Sequence, residues 1–507
     1  MPKKQNDGGE KDYRSGISFV KLTECDSYLA NHRVMSENDK YQTRVFYSQL
    51  MRGAGFMSFF SDENTLVAAR KIFAYVGEHI NARFSVRLWD GSMVPLGNDV
   101  DSEFFLAING PGVIGALLRR PTYENLLLHY VNGSIDIHGD LIDFVALARE
   151  KQPKKKLKKI NKFFLLRQAL PLLLSFSEKI RIQHQYLDDE VGRKESRRDN
   201  KEFIQFHYDI SNDFYGLFLG NEMQYSCGYF TDPDNSLDQA QYDKLDMICR
   251  KLRLKPGEKL LDIGCGWGGL ICHAAQKYGV TAHGVTLSQQ QFDFARAKVK
   301  RLGLEDRITV ELRDYSTLDG TYDKIASIGM FEHIGIANMP KYFRKIKSLL
   351  RDRGILLNHG ISRHAKPTKR AARKIRPERR LLLKYIFPGS ELDNVGHTID
   401  VLEMNGFEVH DVEAWREHYA LTSRHWYRRL MARQEDAVSF VGREKLRMWL
   451  LYLAGVSIGF TDGSMHICQV VATRHSAKGA SGLPFTRADL YSNESPLKGN
   501  LAKEKFE

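Results

Sequence analysis

The chain has 507 residues, enough for two or three domains with at least one sizeable hydrophobic core. Lysine and arginine number 75 against 62 aspartates and glutamates, and this charge of +13 predicts an anionic partner: nucleic acid, a membrane surface or a negatively charged substrate. Six cysteines without a CxxC pair indicate neither a metal site nor a disulfide framework, so a reducing, cytoplasmic setting fits best.

The N-terminal region is predicted to be a binding domain. Its polar first 15 residues are expected to be disordered, and they contain no apolar leader segment. Over residues 16–150, the alternating stretch FSVRLWDGSMVPL and the helix–turn–strand pattern PTYENLLLHYVNGSIDI predict a small α+β domain. Because no acid–base cluster accompanies these elements, we interpret the domain as a binding module rather than a catalytic one.

A basic and then apolar linker is predicted over residues 151–200. Seven lysines lie within KQPKKKLKKINK, and the apolar stretch FFLLRQALPLLLSF comes directly after them. That stretch is shorter than the ~20 residues that cross a bilayer, and an Arg-Gln pair and a proline interrupt it. The linker is either a solvated connection or, as we favour, a contact with an anionic membrane surface.

Residues 201–475 alternate strand and helix in the manner of an α/β domain. The predicted strands are EKLLDIGCG, TAHGVTLS, ITVELRDY, YDKIASIGMFEH and ILLNHGIS, with helices between them. This order predicts a doubly wound, Rossmann-like sheet. The Ser/Gly/Lys-rich residues 476–507 are predicted to form a disordered tail.

The stretch LLDIGCGWGG reads as a buried strand ending in a glycine turn that opens a helix. Glycines at 264, 266 and 268 remove side chains where a cofactor approaches the backbone, and Gly269 completes a dinucleotide-type spacing. Asp262 precedes the glycines, and no phosphate-binding lysine follows them. The pattern D-x-G-x-G after a first strand is typical of S-adenosylmethionine-dependent methyltransferases, in which the acidic residue helps to hold the methionine ammonium.

Two further strand ends carry candidate cofactor contacts. The second strand ends in GVTLSQQQ rather than in the Asp or Glu that binds ribose hydroxyls in nucleotide folds. Thr286, Ser288 and Gln291 are neutral candidates for that role. Asp314 and Tyr315, at the end of the next strand, are placed to contact an adenine.

The stretch IASIGMFEHIG places Glu332 and His333 at the end of an apolar strand. An ionisable pair in that position is costly unless it is solvated, paired or used. Glu332 is therefore a candidate functional group, and His333 is expected only to orient the loop.

Six motifs together resemble the cyclopropane-fatty-acyl-phospholipid synthases and the related mycolic acid cyclopropane synthases. They occur in that family's order from about Phe203 to Arg474: FHYDISNDFYGLFLG, MQYSCGYF, LLDIGCGWGGL, GVTLSQQQ, SIGMFEHIG and HWYRRL. The preceding residues resemble, more loosely, the lipid-binding domain of the bacterial phospholipid enzymes. The resemblance implies methylene transfer from S-adenosylmethionine to a cis double bond of a membrane acyl chain, through a carbocation.

The resemblance also implies a bound bicarbonate that accepts the proton lost on ring closure. Its matching positions are Cys227, Glu332, His359, Ile361 through its backbone, and Tyr427. All of these except Ile361 are expected to be catalytic, and residues 207–209 are interpreted as a lid over the cofactor. The residues expected to bind S-adenosylmethionine are Tyr225, Ser226, Asp262, Gly264, Gly266, Gly268, Thr286, Leu287, Ser288, Gln291, Asp314 and Tyr315.

Two features outside these motifs bear on the lipid. Many relatives carry a cysteine in YLAGVSIGF where this chain has Val456, and because the chemistry needs no covalent thiol, the valine is interpreted as lipid-facing wall. A second basic run, KPTKRAARKIRPERR, holds eight lysines and arginines between Lys366 and Arg380. It is either a solvated loop or, as we favour, a contact with phospholipid headgroups.

The sequence thus predicts a peripheral enzyme on the inner face of the membrane that forms cyclopropane phospholipid chains. A relative giving a methyl-branched, methylene or hydroxylated chain is the alternative, because the outcome depends on which proton or water reaches the cation. A nucleic-acid methyltransferase is disfavoured, since neither Pro-Pro-Tyr nor a catalytic cysteine pair is found, and so is a silent lipid-binding module. The double-bond position, the headgroup and a monomeric or homodimeric state stay open.

Overall fold

The computed structural model describes residues 62–148, 161–175, 180, 210–368, 377–477 and 479–492. The chain forms two compact units, residues 1–67 and 68–507, and nearly all of the first lies outside the described residues. The predicted disordered start, most of the predicted linker and the predicted lid at residues 207–209 also lie outside them.

A small mixed sheet forms the N-terminal part of the described chain. Strand β1 pairs antiparallel with β2, as the alternating stretch with its Asp-Gly turn predicts, and parallel with β3. The order is β2-β1-β3-β4, with the bounds β1 Ser85–Arg87, β2 Met93–Pro95, β3 Phe105–Ile108 and β4 Ile135–His138. The helices of this part are α1 Asp62–Ile80, α2 Pro111–Arg119, α3 Tyr123–Val131, α4 Leu141–Ala148 and α5 Lys162–Leu173.

A seven-stranded sheet forms the second part, in the order β10-β11-β9-β8-β5-β6-β7. Its strands are β5 Lys259–Ile263, β6 Thr281–Thr286, β7 Ile308–Leu312, β8 Tyr322–Ile328, β9 Leu350–Ser362, β10 Phe407–Ala414 and β11 His466–Arg474. Strands β5 to β9 are parallel, and β11 runs antiparallel to both of its neighbours. This confirms the predicted doubly wound, Rossmann-like fold, whose order reverses at β5.

The helices of this part cover both faces of the sheet through apolar stripes. In the helix at Met339–Leu349, for example, the buried residues recur every three or four positions, as expected of an amphipathic helix. The helices are α6 Asn212–Leu219, α7 Leu237–Lys251, α8 Gly269–Tyr278, α9 Gln289–Arg301, α10 Phe331–Ile334, α11 Met339–Leu349, α12 Pro377–Tyr385, α13 Val395–Met404, α14 Arg416–Ala432, α15 Gln434–Thr461 and α16 Ala488–Tyr491, with 3₁₀ turns at Tyr315–Thr317 and Ile336–Asn338.

Two predicted boundaries are wrong. The strand predicted to run through Glu332 ends at Ile328, and Glu332 lies on the short helix α10. The tail predicted to be disordered from residue 476 contains α16, where Leu490 is buried and the Asp489 carboxylate accepts a hydrogen bond from Arg253 at 2.8 Å. The Ser/Gly/Lys-rich composition favoured disorder there. It could not reveal the anchoring contacts, because these come from residues distant in sequence. Residues 493–507 lie outside the described part.

The small sheet region packs directly on α14 and α15. The hydroxyl of Tyr427 on α14 accepts a hydrogen bond from the backbone N–H of Leu141 at 3.1 Å. On α15, the Arg447 guanidinium donates to the carbonyls of Tyr130 at 2.7 Å and Ile135 at 3.0 Å. The described parts of the two regions are therefore joined by buried and partly buried polar contacts as well as by apolar packing.

Candidate active site

A cleft opens at the carboxyl ends of β5, β6 and β8, where ligands bind in doubly wound folds. It encloses about 930 Å³ of atom-free space, including its opening to solvent. The glycine turn after β5 forms its floor, with φ of 79° at Gly264 and 55° at Gly266. A Cβ added at Gly266 would meet no atom within 4 Å, so this backbone is open to a ligand.

Nine of the twelve residues predicted to bind the cofactor line this cleft: Tyr225, Ser226, Asp262, Gly264, Gly266, Thr286, Leu287, Gln291 and Tyr315. The other three cap helices instead. Gly268 adopts the left-handed N-cap conformation of α8, and Ser288 accepts the Gln291 N–H at the start of α9. The Asp314 carboxylate accepts the Ser316 N–H at 2.7 Å, which starts a 3₁₀ turn, so Asp314 shapes the loop that carries Tyr315.

The cleft also contains a charged residue that the sequence analysis missed, Lys244 on α7. Its ammonium is fully buried and donates to Gln224 Oε1 at 2.5 Å and to Ser226 Oγ at 3.0 Å. Burial lowers the pKa of Lys244, and the nearby groups Cys227, Asp262 and Glu222 partly offset that effect. The available signal was a lysine at helical spacing from apolar residues of α7, four residues before the buried Ile248.

Asp262 faces the same cleft from the end of β5. Burial raises the pKa of its carboxyl, and Lys244 lowers it again in part. Its Oδ1 atom is buried and has no hydrogen-bond partner among the described residues. An unpartnered acidic oxygen beside an exposed glycine backbone and a buried cation suits a zwitterionic amino-acid group, so these residues fit the methionine end of S-adenosylmethionine.

Glu332 is not itself a cleft-lining residue, but in sequence it lies between two that are, Met330 and His333. Its Oε1 accepts the backbone N–H of Ile361 at 2.5 Å, whereas Oε2 is buried without a hydrogen-bond partner among the described residues. Burial raises the pKa of Glu332 to about 7, with the Ile361 N–H acting in the opposite direction. The Ile361 N–H that the resemblance gives to bicarbonate thus binds Glu332, and His333 lines the cleft as well as shaping the loop.

His359 lies fully buried on β9, directly opposite Ile328 of the cleft wall. Its carbonyl accepts the Gly329 N–H at 2.9 Å, which ties the strand to the cleft loop. Its imidazole Nδ1 lies 2.9 Å from Gln469 Nε2. Burial first, and then the charges of Lys244 and Lys251, hold the pKa of His359 well below its ordinary value, so the ring is neutral.

Cys227 follows the cleft residue Ser226 and is fully buried. Its thiol donates weakly to the carbonyls of Gly228 at 3.2 Å and Trp415 at 3.7 Å. Burial raises the pKa of the thiol far above its ordinary value, so Cys227 is a neutral thiol and not a thiolate nucleophile. The Trp415 ring lies 5.3 Å from the His359 ring, and Trp415 thereby joins Cys227 to His359.

Tyr427 does not join this group, and its predicted role is corrected. Its hydroxyl is engaged by Leu141, and twelve residues of helix α14 place it about 18 Å along the axis from Trp415. The motif HWY gave no information on which neighbouring element the tyrosine side chain would contact. Tyr419, one turn after Trp415, donates its N–H to the same Trp415 carbonyl, at 3.1 Å, that accepts the Cys227 thiol.

Aromatic rings from α6, α14 and α15 form a wall beside the cleft. The cleft residues Tyr225 and Trp267 contact Trp426 and Tyr215, respectively, each with ring centroids 5.2 Å apart. The Tyr225 hydroxyl lies 3.3 Å from the hydroxyl of Tyr452 on α15. Val456, one turn further along α15, packs half-buried against this aromatic core. The wall therefore offers π-faces and aliphatic surface but few polar groups.

Comparisons with known proteins agree with this geometry. Residues 195–470 match the family model described as mycolic acid cyclopropane synthetase. The chain is 37% identical over 413 residues to a probable fatty acid methyltransferase of Pseudomonas putida, covering 80% of this chain and 95% of that protein. It is 32% identical over 389 residues to a cyclopropane-fatty-acyl-phospholipid synthase of Escherichia coli, covering 76% and 94%, respectively.

A solved structure shows the same catalytic fold. The mycolic acid cyclopropane synthase CmaA1, complexed with SAH and CTAB, matches 54% of this chain and 98% of its own, at 32% identity and a TM-score of 0.51. The motifs, the cleft and these relatives agree along the catalytic part of the chain. The chain therefore belongs to the mycolic acid cyclopropane synthetase family and is an S-adenosylmethionine-dependent methyltransferase.

Proposed function

We propose that the protein transfers a methylene group from S-adenosylmethionine to a cis double bond of a phospholipid acyl chain and closes a cyclopropane ring. The observation that carries this proposal is the buried Glu332 carboxyl, with one unpartnered oxygen and a raised pKa, beside an aromatic cleft. Such a group handles a proton in a dry chamber, which ring closure requires and simple binding does not. The name of the E. coli relative supports the lipid substrate.

An isolated alkene is a weak nucleophile, so the reacting atoms must be held in line and water must be kept away. Bound S-adenosylmethionine supplies an electrophilic sulfonium methyl group. Attack by the alkene forms one carbon–carbon bond, breaks the sulfur–methyl bond and leaves a carbocation on the acyl chain. The rings of Tyr225 and Trp267, which both line the cleft, are suited to stabilise that cation, because their π-faces attract positive charge without reacting with it.

Ring closure then removes one proton from the transferred methyl carbon, whose electron pair forms the second new carbon–carbon bond. A bicarbonate held by Glu332, His359 and Cys227 is the proposed acceptor of that proton. Like charges so close together cannot both persist in a low-dielectric site, so the carboxyl and the bicarbonate must share a proton. A Glu332 carboxyl with a pKa of about 7 meets that requirement, because it is readily protonated near neutrality.

A methyl-branched or methylene product is the second candidate. It is favoured by the name of the P. putida relative, which specifies a fatty acid methyltransferase and no ring. The two outcomes share the carbocation. Loss of a chain proton next to the cation leaves a methyl-branched alkene, and a 1,2-hydride shift followed by loss of a methyl proton leaves an exocyclic methylene. The cleft geometry is compatible with both, since both need the same cofactor and the same dry wall.

Product analysis distinguishes these candidates. Lipids extracted after expression in a host that lacks cyclopropane lipids are expected to show upfield ring-proton signals in the NMR spectrum. A branch methyl or exocyclic methylene signal would instead establish the second candidate. Both candidate functions would be contradicted if the lipids were unaltered and if the enzyme formed no S-adenosylhomocysteine when incubated with vesicles of unsaturated lipid.

We also propose that helix α5 contacts the membrane that holds the substrate. Its exposed apolar side chains recur at positions i, i+3, i+7 and i+11, which places them on one face: Phe163 (74% exposed), Leu166 (62%), Leu170 (49%) and Leu174 (48%). Ala169 and Leu172 are buried on the other face. Across the described ranges, no helix combines the length and apolarity of a membrane span. The lysine-rich segment before α5 and most of the second basic run lie outside those ranges.

Replacing both Phe163 and Leu166 by serine is expected to weaken binding to vesicles of unsaturated phosphatidylglycerol at least tenfold. The reason is that each side chain buried in the interface contributes on the order of 1–2 kcal/mol. Vesicle co-sedimentation measures the effect. Met404→Ser is the matched control, since Met404 is an exposed apolar residue (82%) on another helix, α13. Equal vesicle affinity of the double variant and the control would refute the proposed contact.

A further inference from the structure

A chain of buried hydrogen bonds reaches His359 from the side opposite the cleft loop. Gln469 lies directly across from His359 in the antiparallel pairing of β11 and β9. The Lys251 ammonium at the end of α7 donates to Gln469 Oε1 at 2.7 Å, and Gln469 Nε2 lies 2.9 Å from His359 Nδ1. Lys251, Gln469 and His359 are each at most 1% exposed, so water does not compete for these bonds.

The ammonium group of Lys251 fixes which group donates and which accepts in each of these hydrogen bonds. An ammonium group only donates hydrogen bonds, so the amide of Gln469 must present its oxygen to Lys251. Its NH₂ group then faces His359, and because that group also only donates, His359 Nδ1 must accept. In a neutral imidazole with an accepting Nδ1, the proton resides on Nε2.

Lys251 is itself anchored, which keeps this direction fixed. Its ammonium also donates to the Glu413 carboxylate and lies 5.1 Å from the centre of the Trp415 ring. Rotation of the Gln469 amide by 180° would place its NH₂ group against that ammonium and lose both hydrogen bonds. The amide orientation therefore follows from the partners on both sides and not from the sheet alone.

We propose that Lys251 and Gln469 are positioning residues that hold His359 as the Nε2–H tautomer, so that it presents a hydrogen-bond donor and not a base. His359 Nε2 is buried and has no hydrogen-bond partner among the described residues, which leaves that donor for a ligand. A buried N–H donor favours an oxyanion. The identification of that anion as bicarbonate rests on the proposed function, whereas the tautomer does not.

This assignment gives His359 and Glu332 different roles in the site. His359 binds and orients the anion through Nε2–H. It does not take the proton lost on ring closure, because its basic lone pair, on Nδ1, already accepts the hydrogen bond from Gln469. Glu332, with its unpartnered oxygen, is then the group that shares a proton with the anion. The positioning residues come from α7 and β11 and lie outside all six motifs of the catalytic half.

Histidine tautomers are read directly by long-range ¹H–¹⁵N NMR of protein labelled with ¹⁵N in its histidine rings, with His359→Gln assigning the signal. In the wild-type protein, Nε2 is expected to carry the proton and Nδ1 to show the shift of an accepting nitrogen. In Gln469→Glu, the new carboxylate accepts a hydrogen bond, so the proton is expected on Nδ1, with kcat at least tenfold lower and affinity for S-adenosylhomocysteine within twofold.

Lys251→Met removes the group that orients the amide, so both His359 tautomers are expected in this variant. Lys324→Met is the matched control, because Lys324 is a buried lysine that pairs with Glu258 near the start of β8, at the end of the strand remote from the cleft; its His359 signals should equal those of the wild type. A wild-type signal with the proton on Nδ1, or an unchanged tautomer in Gln469→Glu, would overturn the inference.

Titration with bicarbonate separates this inference from the proposed function. A shift of the His359 Nε2–H signal in the wild-type protein, absent from Gln469→Glu, supports both. If the tautomer is as proposed but bicarbonate leaves its signal unmoved, the inference about Lys251 and Gln469 stands and the bicarbonate role in the proposed function fails.

Discussion

Replacing Glu332 by glutamine is expected to lower kcat for product formation by about 10²–10⁴-fold, the usual contribution of a positioned acid–base group. Glutamine has the same shape, and its amide oxygen can accept the Ile361 N–H that Glu332 Oε1 accepts now. Its NH₂ group would replace the unpartnered Oε2, and an amide cannot share a proton with a bound anion. Affinity for S-adenosylhomocysteine is expected to stay within about twofold.

The same substitution is expected to stabilise the fold at alkaline pH. The pKa of Glu332 is raised from 4.5 to about 7 by burial, so the folded state holds a proton that the unfolded chain releases first. The stability that this proton provides is complete below pH 4.5 and is lost as the pH rises to about 7. Glutamine loses nothing over that window, so the variant gains up to roughly 3 kcal/mol relative to the wild type at pH 8.

Steady-state kinetics and urea unfolding at pH 5 and pH 8 measure these two effects. Glu391→Gln is the control, because the Glu391 carboxylate also accepts a backbone N–H, from Ile336 at 2.8 Å, but is only half-buried and is not among the described residues with a buried, unpartnered oxygen. Its kcat should remain within about threefold of the wild type. A Glu332→Gln variant that keeps wild-type kcat would remove the main support for the proposed proton transfer.

Asp262→Asn is expected to weaken binding of S-adenosylmethionine and S-adenosylhomocysteine by about 10- to 100-fold. A hydrogen bond to a charged group contributes roughly 1.5–3 kcal/mol, and the neutral amide would also present a donor toward the methionine ammonium. The carboxyl has a buried oxygen without a partner among the described residues, so no existing bond of that oxygen is lost in the change. Isothermal titration calorimetry measures the affinity.

Asp323→Asn provides the matched control, because Asp323 lies in the same sheet at the end of the strands opposite to the cleft. Asp323 lies at the start of β8 and accepts hydrogen bonds from the Lys259 N–H at 2.8 Å and from Arg351 at 2.5 Å. This variant is expected to lose stability but to bind S-adenosylhomocysteine with unchanged affinity. If Asp262→Asn bound the ligand as tightly as this control, Asp262 would have no part in holding the methionine end.

The fold was predictable because its signals are local. A short apolar run, a glycine turn and an amphipathic stretch each depend on neighbouring residues, and the five parallel strands follow from them. The strand pattern did not predict the start of α10. The chain turns at Gly329, but apolar residues continue beyond that turn, so the sequence shows no clear end of the strand. Glu332 was recognisable because an ionisable side chain beside an apolar run is costly, whichever element carries it.

The rest of the site depends on contacts between distant elements. The role predicted for Tyr427 was wrong because a sequence motif does not show which distant residue a side chain contacts. The partner of the Tyr427 hydroxyl, Leu141, is 286 residues away in the sequence. Lys244 was missed because a single lysine on a helix normally extends to solvent, and only the packing of α7 on the sheet buries it. Gln469 was missed because its function arises from Lys251 on one side and His359 on the other.

The hydrogen bond between Tyr427 and Leu141 limits how far the polypeptide can be truncated. About half of this chain spans 98% of the solved relative CmaA1, so the catalytic fold exists elsewhere as a shorter protein. Here, truncation to that length would remove the partners of the Tyr427 hydroxyl and the Arg447 guanidinium and would expose to water the apolar residues of α14 and α15 that share a core with Tyr130 and Leu141. We therefore expect the methyltransferase half of this protein to be less stable in isolation than in the full-length chain, because it has an apolar surface that its N-terminal neighbour covers.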